Sequence, residues 1–560
     1  MFAPDATENT LSFTAHQDSR AGNAYLNQSS VFYAIPDSII TPINVDLLSR
    51  WLASYPNQAA TQFLINGFQH GFDIGFSGLN QASQPNNLLS ARNNPIATER
   101  AILKEVTRGH TAGPFHYPPF INFHCSPLGA VPKPNSSVRL ILDLSSPRYC
   151  SINDGIAQED YSVTYSKFDD AINLIRNIGP SCFIFMAKVD IQHAFRLCPV
   201  RPQDWPLLGS AWNGRYFFEL RLPFGSRSSP FIFNTFADAL WWILSTLFGI
   251  KSLIHYLDDF FLANSSEASC ALDKDTILAV FEALGVPVSL DKLVGPSQII
   301  TYLGIEIDSR LGIIRLPEEK LKELLSLLEK WLHQKKCTKR ELLSLIGKLS
   351  FACKVVKPGR MFLRRLIDLS TTVERLHHHI YISAETKADI AWWYEFLNPW
   401  NGICVMQEEP VLASELQLFT DAALHVGFGA VFGNKWLSGE WSKNLLPLPI
   451  AQKELFAVFV AISTWRNQLA NKQIKLSTDN TAVVEVWTIG STKDPTMLKI
   501  LRALFFLCAQ SNINLTVSHI AGKKNVLADL LSRARFQEFF DAHPSAELSP
   551  TPVPEEVWII

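Results

Sequence analysis

The sequence predicts a multidomain chain of mixed α+β and α/β class, with two strand-and-carboxylate blocks separated by a basic helical stretch. Three observations predict it. At 560 residues the chain has room for three or four domains of about 150 residues each. Apolar strand-like runs that end in Asp recur in both halves, at 183–190, 252–259, 416–421 and 474–479. Between the halves Lys and Arg crowd together, although the whole chain carries a net charge of only −2. With 47% hydrophobic and 18% charged residues, the chain can bury a large core. The near-zero net charge gives no global footprint for nucleic acid, so any such site must come from local charge. Nine cysteines fall without Cys-x-x-Cys or Cys/His zinc spacing, which predicts reduced thiols in an intracellular, cytoplasmic or nuclear, protein. No secretory leader pattern is expected, and the longest apolar run, 239–250, is too short to span a membrane and reads as a buried helix.

Residues 1–40 are rich in Asn, Ser, Thr and Gln without periodicity and are expected to be mobile. Residues 41–110 read as helices at 45–52 and 97–108 with loops at 74–95, and offer no chemistry of their own. At 128–144 the pattern is strand, turn, strand, with Pro134-Asn-Ser-Ser as the turn and Lys133 and Arg139 on either side. Two cations on one hairpin suit a triphosphate, Arg by a bidentate grip; taken alone, a surface hairpin with ordinary cations is the simpler account. The run at 183–190 ends in Asp190, with Phe195 five residues on. Trp212-Asn213-Gly214-Arg215 carries a hairpin turn. A Gly/Pro-punctuated loop at 222–230 holds Phe224 and leads into a long apolar helix. In 252–262, apolar flanks surround Asp258 and Asp259, which reads as a hairpin with an acidic tip. Neighbouring residues of a straight strand face opposite ways, so two adjacent carboxylates serve one site only where the chain bends. They repel unless a cation lies between them. Tyr302-Leu-Gly304 follows in a short strand.

These segments, in this order, resemble the polymerase core of reverse transcriptases. Pro132-Lys133…Arg139…Asp143 is similar to the fingers hairpin, Asp190 with Phe195 to the first catalytic block, and Leu222-Pro-Phe224-Gly…Ser229-Pro230 to the template-grip loop. Tyr256-Leu-Asp258-Asp259 resembles the active-site box and Tyr302-Leu-Gly304 the primer-side block. Leu257 stands where retroviral enzymes usually carry Met or Val, and Phe224 where they often carry Gln; neither change removes a catalytic group. The resemblance implies a right-hand polymerase of fingers, palm and thumb, acting on dNTPs with an RNA template and a DNA primer. Asp190, Asp258 and Asp259 would hold two Mg²⁺ ions (Mn²⁺ as substitute) ~3.5–4 Å apart. Lys133 and Arg139 would neutralise phosphate charge, and Phe195 would exclude a 2′-hydroxyl.

Residues 317–332 predict an amphipathic helix with Leu321, Leu324, Leu325, Leu328, Trp331 and Leu332 on one face. Around it Lys335, Lys336, Lys339, Arg340, Lys348, Lys354, Arg360 and Arg364 make 316–397 a basic thumb and connection suited to phosphate contacts, a solvated helical face being the plainer alternative. Residues 398–414 read as a linker. The block 415–535 then runs three strands, helix, strand, helices, strand, helix, an order that resembles ribonuclease H. Asp421, Glu454, Asp479 and Asp529 match its four acidic positions, and His519 its terminal block. The resemblance implies two further Mg²⁺ ions, an RNA/DNA hybrid substrate and a proton-transfer or product-release role for His519. Residues 536–560 form a Pro-rich tail, expected to be mobile after Phe540.

The expected activity is therefore an RNA-directed DNA polymerase with a fused ribonuclease H. Ser151-Ile-Asn-Asp-Gly155, Gly347-Lys-Leu-Ser-Phe351 and Pro358-Gly-Arg-Met361 further resemble the DIRS-type, tyrosine-recombinase retrotransposons. The alternatives are an inactive domesticated nucleic-acid-binding scaffold or a ribonuclease H alone. Seven intact carboxylates argue against the scaffold, and variants of Asp190 and Asp479 separate the two activities.

Overall fold

The computed structural model describes residues 35–36, 38–132, 137–179, 184–398, 403–404, 411–412, 418–470, 472–490, 492, 494–511 and 513–559. Most of the segment expected to be mobile at the start of the chain, and Lys133, lie outside them. The chain divides into two compact units, 1–163 with 193–239, and 164–192 with 240–560.

In the first unit the region that had no chemistry in sequence folds as helices Val45–Trp51, Gln58–His70 and Pro95–Thr107. Asn44 and Asn57 cap the first two by accepting from Leu47 N and Ala60 N. Phe68 packs against Phe72 and Phe236, so this region shares its core with the rest of the unit. The predicted hairpin pairs Leu128–Pro132 with Val138–Leu142. The Asn213-Gly214 turn joins strands Gly209–Trp212 and Arg215–Glu219 with both turn residues at positive φ, as a two-residue hairpin requires. Strand Thr111–Phe115 completes that three-stranded sheet.

In the second unit an antiparallel sheet runs in the order Leu253–Tyr256, Asp259–Asn264, Phe185–Asp190, Val294–Ser297. Helices Phe168–Ile178 and Glu267–Leu284 pack on it. The latter starts at a Ser266 cap and stops at Gly285 in the left-handed region. The apolar run 239–250 is buried only in part: helix Ser229–Trp242 passes into a π turn, Ile243–Leu247, and residues 246–249 are exposed. The expected amphipathic helix is Glu318–His333, with Leu324, Leu328 and Trp331 buried. Helices Lys339–Ala352, Arg364–Thr371 and Ala384–Leu397 follow.

The second sheet of this unit runs Lys435–Glu440, Gly427–Phe432, Leu418–Ala422, Gln473–Thr478, Asn514–His519, antiparallel across the first three strands and parallel beyond. Gly429 lets helix Val526–Ser532 lie close on this sheet, since a Cβ there would stand 2.5 Å from Leu531 Cβ.

Within 398–414, read as a linker, the described residues include two short strands: Ile403–Cys404 pairs with Ile313–Arg315, and Val411–Leu412 runs parallel to Gln473–Thr478. The tail, by contrast, is not loose. Helix Phe536–Ala542 packs Phe536, Phe539 and Phe540 around Trp436, whose indole N–H donates to Glu547 O at 2.7 Å. Further on, Val557 is buried and Trp558 lies against Phe428 and Phe456. Proline content suggested mobility, but a few apolar anchors outweigh it.

Candidate active sites

The first site is built by one register. Strands Phe185–Asp190 and Asp259–Asn264 pair Asp190 opposite Asp259. Tyr256 pairs with Asp259 across the hairpin, leaving Leu257-Asp258 as a two-residue turn. Leu257 takes φ 52, a conformation a γ-branched residue adopts only when its surroundings impose it. The bend does what a straight strand cannot and brings Asp258 and Asp259 to the same end of the sheet as Asp190. Ile191 N donates to Asp258 O at 2.9 Å and ties the turn to the neighbouring strand. Burial, with Asp190 and Asp259 nearby, pushes the Asp258 carboxyl up to about 6. Asp259 is also raised, by burial first.

Sequence reasoning missed two cations here. Lys292 Nζ donates to both oxygens of Asp190 at 2.9 and 3.1 Å, and Lys188 Nζ stands 3.8 Å from Asp259 Oδ1. Like charges a few ångströms apart repel by about 4 kcal/mol at an effective dielectric of 20, so the cluster needs positive charge. The lysines supply part of it. Lys292 lies in an exposed 3-10 turn, Leu290–Lys292, and no local pattern announces its reach.

In the first unit Phe195 and Phe224 meet, with ring centroids 5.2 Å apart, and Phe233 backs Phe195 at 5.7 Å. The loop that carries Phe224 is clamped by Asn153. Its amide donates to Gly225 O at 2.9 Å and Ser145 Oγ at 2.8 Å, and its oxygen accepts from Arg227 N at 2.9 Å. Gly225 sits at φ 112 against Leu142 O, a position that excludes a Cβ. Arg139 is exposed on its hairpin strand, opposite Val131.

Residues 131–307, which hold all these groups, match the family model "Reverse transcriptase (RNA-dependent DNA polymerase)". The chain carries a reverse transcriptase domain. Among curated proteins it is similar to the Pro-Pol polyprotein of feline foamy virus, 24% identical over 229 residues, 40% of this chain and 17% of that protein. It is also similar to the retrovirus-related Pol polyprotein from transposon opus of Drosophila melanogaster, 23% identical over 421 residues, 72% of this chain and 38% of that protein. The chain thus spans well under half the length of these relatives. Solved structures of foamy viral protease-reverse transcriptase give TM-scores of 0.49 with double-stranded DNA and 0.48 with an RNA/DNA hybrid. Both are 15% identical and cover 87% of this chain, with 84% and 64% of those chains covered. The matched segment has a mixed α/β architecture.

Downstream of the reverse transcriptase domain lies a second carboxylate cluster. Asp421 on strand Leu418–Ala422, Glu454 on helix Ile450–Thr464 and Asp479 just after strand Gln473–Thr478 each offer an oxygen within 4.8 Å of the others. Burial, together with Asp421 and Asp479, drives Glu454 up to about 9, and burial drives Asp421 to about 6. Glu454 Oε2 is buried and accepts no hydrogen bond among the described residues. Three crowded oxygen donors, one of them unsatisfied, fit a hard divalent cation.

Asp529 stands apart from that trio. It faces Asp421 across the site, but its carboxylate binds Arg533 Nε at 2.7 Å. His519 ends the edge strand exposed, paired with Thr478 beside Asp479. Ser532, which sequence reasoning passed over, donates to Asp421 Oδ2 at 2.6 Å. Asn525 donates to Thr420 O at 2.9 Å and braces the strand that carries Asp421.

The eight basic residues divide. Lys335, Lys336, Arg340, Lys354 and Arg360 are exposed. Lys339 Nζ donates to Val373 O and Glu374 O. Lys348 pairs with Glu323, and Arg364 with Asp368 at 3.1 Å; both are surface pairs weak enough to exchange for phosphate.

Proposed function

We propose that this chain is an RNA-directed DNA polymerase of retroelement origin, fused to a ribonuclease H that degrades the RNA of RNA/DNA hybrids. The observation that carries the polymerase reading is the register placing Asp190 opposite Asp259 with Asp258 in the adjoining turn. The ribonuclease H reading rests on the Asp421, Glu454, Asp479 trio on a mixed sheet of six described strands. Asp190, Asp258 and Asp259 would hold one pair of divalent cations, and Asp421, Glu454 and Asp479, with Asp529, a second. Mg²⁺, or Mn²⁺ in its place, supplies a lowered pKa to the attacking hydroxyl or water and charge neutralisation to the phosphate.

The chain's own residues do the rest. Asp258 and Glu454 must be ionised to serve as ligands, and their raised pKa values make that occupancy pH-dependent. Lys292 would trade its pairing with Asp190 for substrate phosphate. Arg139 and Lys133 would hold the triphosphate, and the Asn153-clamped loop would present Phe224 to the nucleotide. Phe195, backed by two rings, would form the apolar wall under the sugar and favour dNTPs over ribonucleotides. His519 would assist proton transfer or product release, while Lys335, Lys336, Arg340 and Arg360 would track the phosphates of template and primer. The Ser151–Gly155, Gly347–Phe351 and Pro358–Met361 motifs support a DIRS-type origin within the retroelements; Asn153 of the first also has the structural task described above.

Separation of the two activities tests this reading. Asp190→Asn is expected to abolish primer extension and leave hybrid cleavage. Asp479→Asn is expected to do the reverse. Loss of both from either single change contradicts two independent sites.

A further inference from the structure

Phe195 sits in an improbable turn. Its 3-10 helix, Ala194–Leu197, is entered through His193 at φ 65 and Ala194 at φ 27, conformations that neither residue favours by itself. Something outside the turn must hold it, and the next residue does. Arg196 is 8% exposed. Its Nη1 donates to the Glu219 carboxylate and lies 3.4 Å from Arg221 O, and its Nε stands 3.6 Å from Glu105 Oε2. Both acids are anchored in turn. Glu219 Oε2 accepts from Thr111 Oγ1 at 3.1 Å, and Glu105 meets His110 Nδ1 at 2.8 Å and Arg108 at 3.4 Å. The Arg196, Arg108 and His110 partners hold the Glu105 carboxyl at about 2 against the opposing pull of burial, so it stays ionised. The clamp therefore draws on the sheet strand Arg215–Glu219 and on helix Pro95–Thr107, part of the region that sequence left without chemistry.

We infer that Arg196, held between Glu219 and Glu105, is a positioning residue that fixes Phe195 and thereby sets how strictly the polymerase rejects ribonucleotides. The inference rests on the reading of Phe195 as the sugar wall. A planar, always-charged guanidinium between two carboxylate side chains has one low-energy placement. An ammonium or a neutral partner allows several. The phenyl ring follows the backbone of the adjacent residue, and a wall against a single hydroxyl fails when it moves by a fraction of an ångström. Removing one charge from the clamp should thus loosen selection against the 2′-hydroxyl more than it harms addition of dNTPs, which need no such wall.

The test uses the full chain in single-nucleotide primer extension, with kcat/KM measured for a dNTP and for the matching rNTP. Glu105→Gln and Arg196→Lys are each expected to raise the rNTP-to-dNTP ratio of kcat/KM by about 10-fold, with dNTP addition largely kept. Phe195→Val is the control and should raise the ratio further. Combined with Glu105→Gln, it should show no additional gain, because both act on the same wall. If Phe195→Val shifts the ratio but neither clamp variant does, or if the clamp variants lose dNTP and rNTP addition in parallel, the inference is overturned while the wall stands. If Phe195→Val itself leaves the ratio unchanged, the wall reading fails and the inference falls with it.

Discussion

Glu454→Gln offers the sharpest physical test of the C-terminal carboxylate cluster. The substitution keeps the shape of the side chain and removes its charge. Burial and the neighbouring carboxylates Asp421, Asp479 and Asp529 raise Glu454 from an ordinary 4.5 to about 9. The sign follows from linkage: a carboxyl raised in the folded state binds more protons there than in the unfolded chain, so stability falls as pH rises from about 4.5 to about 9. At pH 8 the chain has crossed about 3.5 units of that window, about 5 kcal/mol at 1.36 kcal/mol per unit. Because the three carboxylates titrate together, the expected cost at pH 8 is about 2–5 kcal/mol. The amide bears none of this cost. Without divalent cation at pH 8, Glu454→Gln should therefore be more stable than the parent, and the difference should vanish toward pH 5. Added Mg²⁺ or Mn²⁺ should stabilise the parent increasingly from pH 6 to 9 and the variant little. The assay is heat unfolding followed by tryptophan fluorescence across that range, with and without cation. A variant less stable than the parent at pH 8 without cation, or one with the parent's full cation response, would refute the reasoning.

Three further outcomes follow from the structure. Asp389 is fully buried between Arg502 at 2.6 Å and Arg365 at 3.5 Å and joins helix Ala384–Leu397 to helix Pro495–Gln510; Asp389→Ala should cost about 3 kcal/mol in urea unfolding, and a loss below about 1 kcal/mol would contradict the pairing. Asn153→Ala removes three hydrogen bonds from the Phe224 loop and should raise KM for dNTP while costing about 2 kcal/mol of stability; an unchanged KM would show that the clamp does not reach the nucleotide. Truncation before Pro552 removes buried Val557 and the Trp558 contacts with Phe428 and Phe456, and should lower stability by about 2 kcal/mol; no change in melting would contradict a docked tail.

What the sequence made legible was local. Asn213-Gly214 names its own turn because few residues tolerate the required φ, and Asp258-Asp259 between apolar flanks demands a bend. The placement of Asp190, Asp421 and Asp479 at or near strand ends came from the apolar runs that precede them. What stayed hidden depends on residues far apart in the chain. Lys292 reaches Asp190 across 102 positions, and Ser532 reaches Asp421 across 111, so no spacing rule exposes either. The Arg196 clamp needs Glu105 and Glu219 from two other elements. The tail was misjudged because composition averages over Val557 and Trp558, which do the anchoring. Among the basic residues, charge density pointed to a face but could not distinguish Lys339, spent on two carbonyls, from exposed Lys335 and Lys336.

The central claim is that Asp190, Asp258 and Asp259 form a polymerase site. Extension of a 5′-labelled DNA primer on an RNA template, with dNTPs and Mg²⁺, tests it most directly when the parent is run beside Asp258→Asn/Asp259→Asn. The account predicts full-length product from the parent and none from the variant, with duplex binding retained by both. A parent that binds the duplex but extends the primer on neither RNA nor DNA, or a variant that extends as well as the parent, would contradict it.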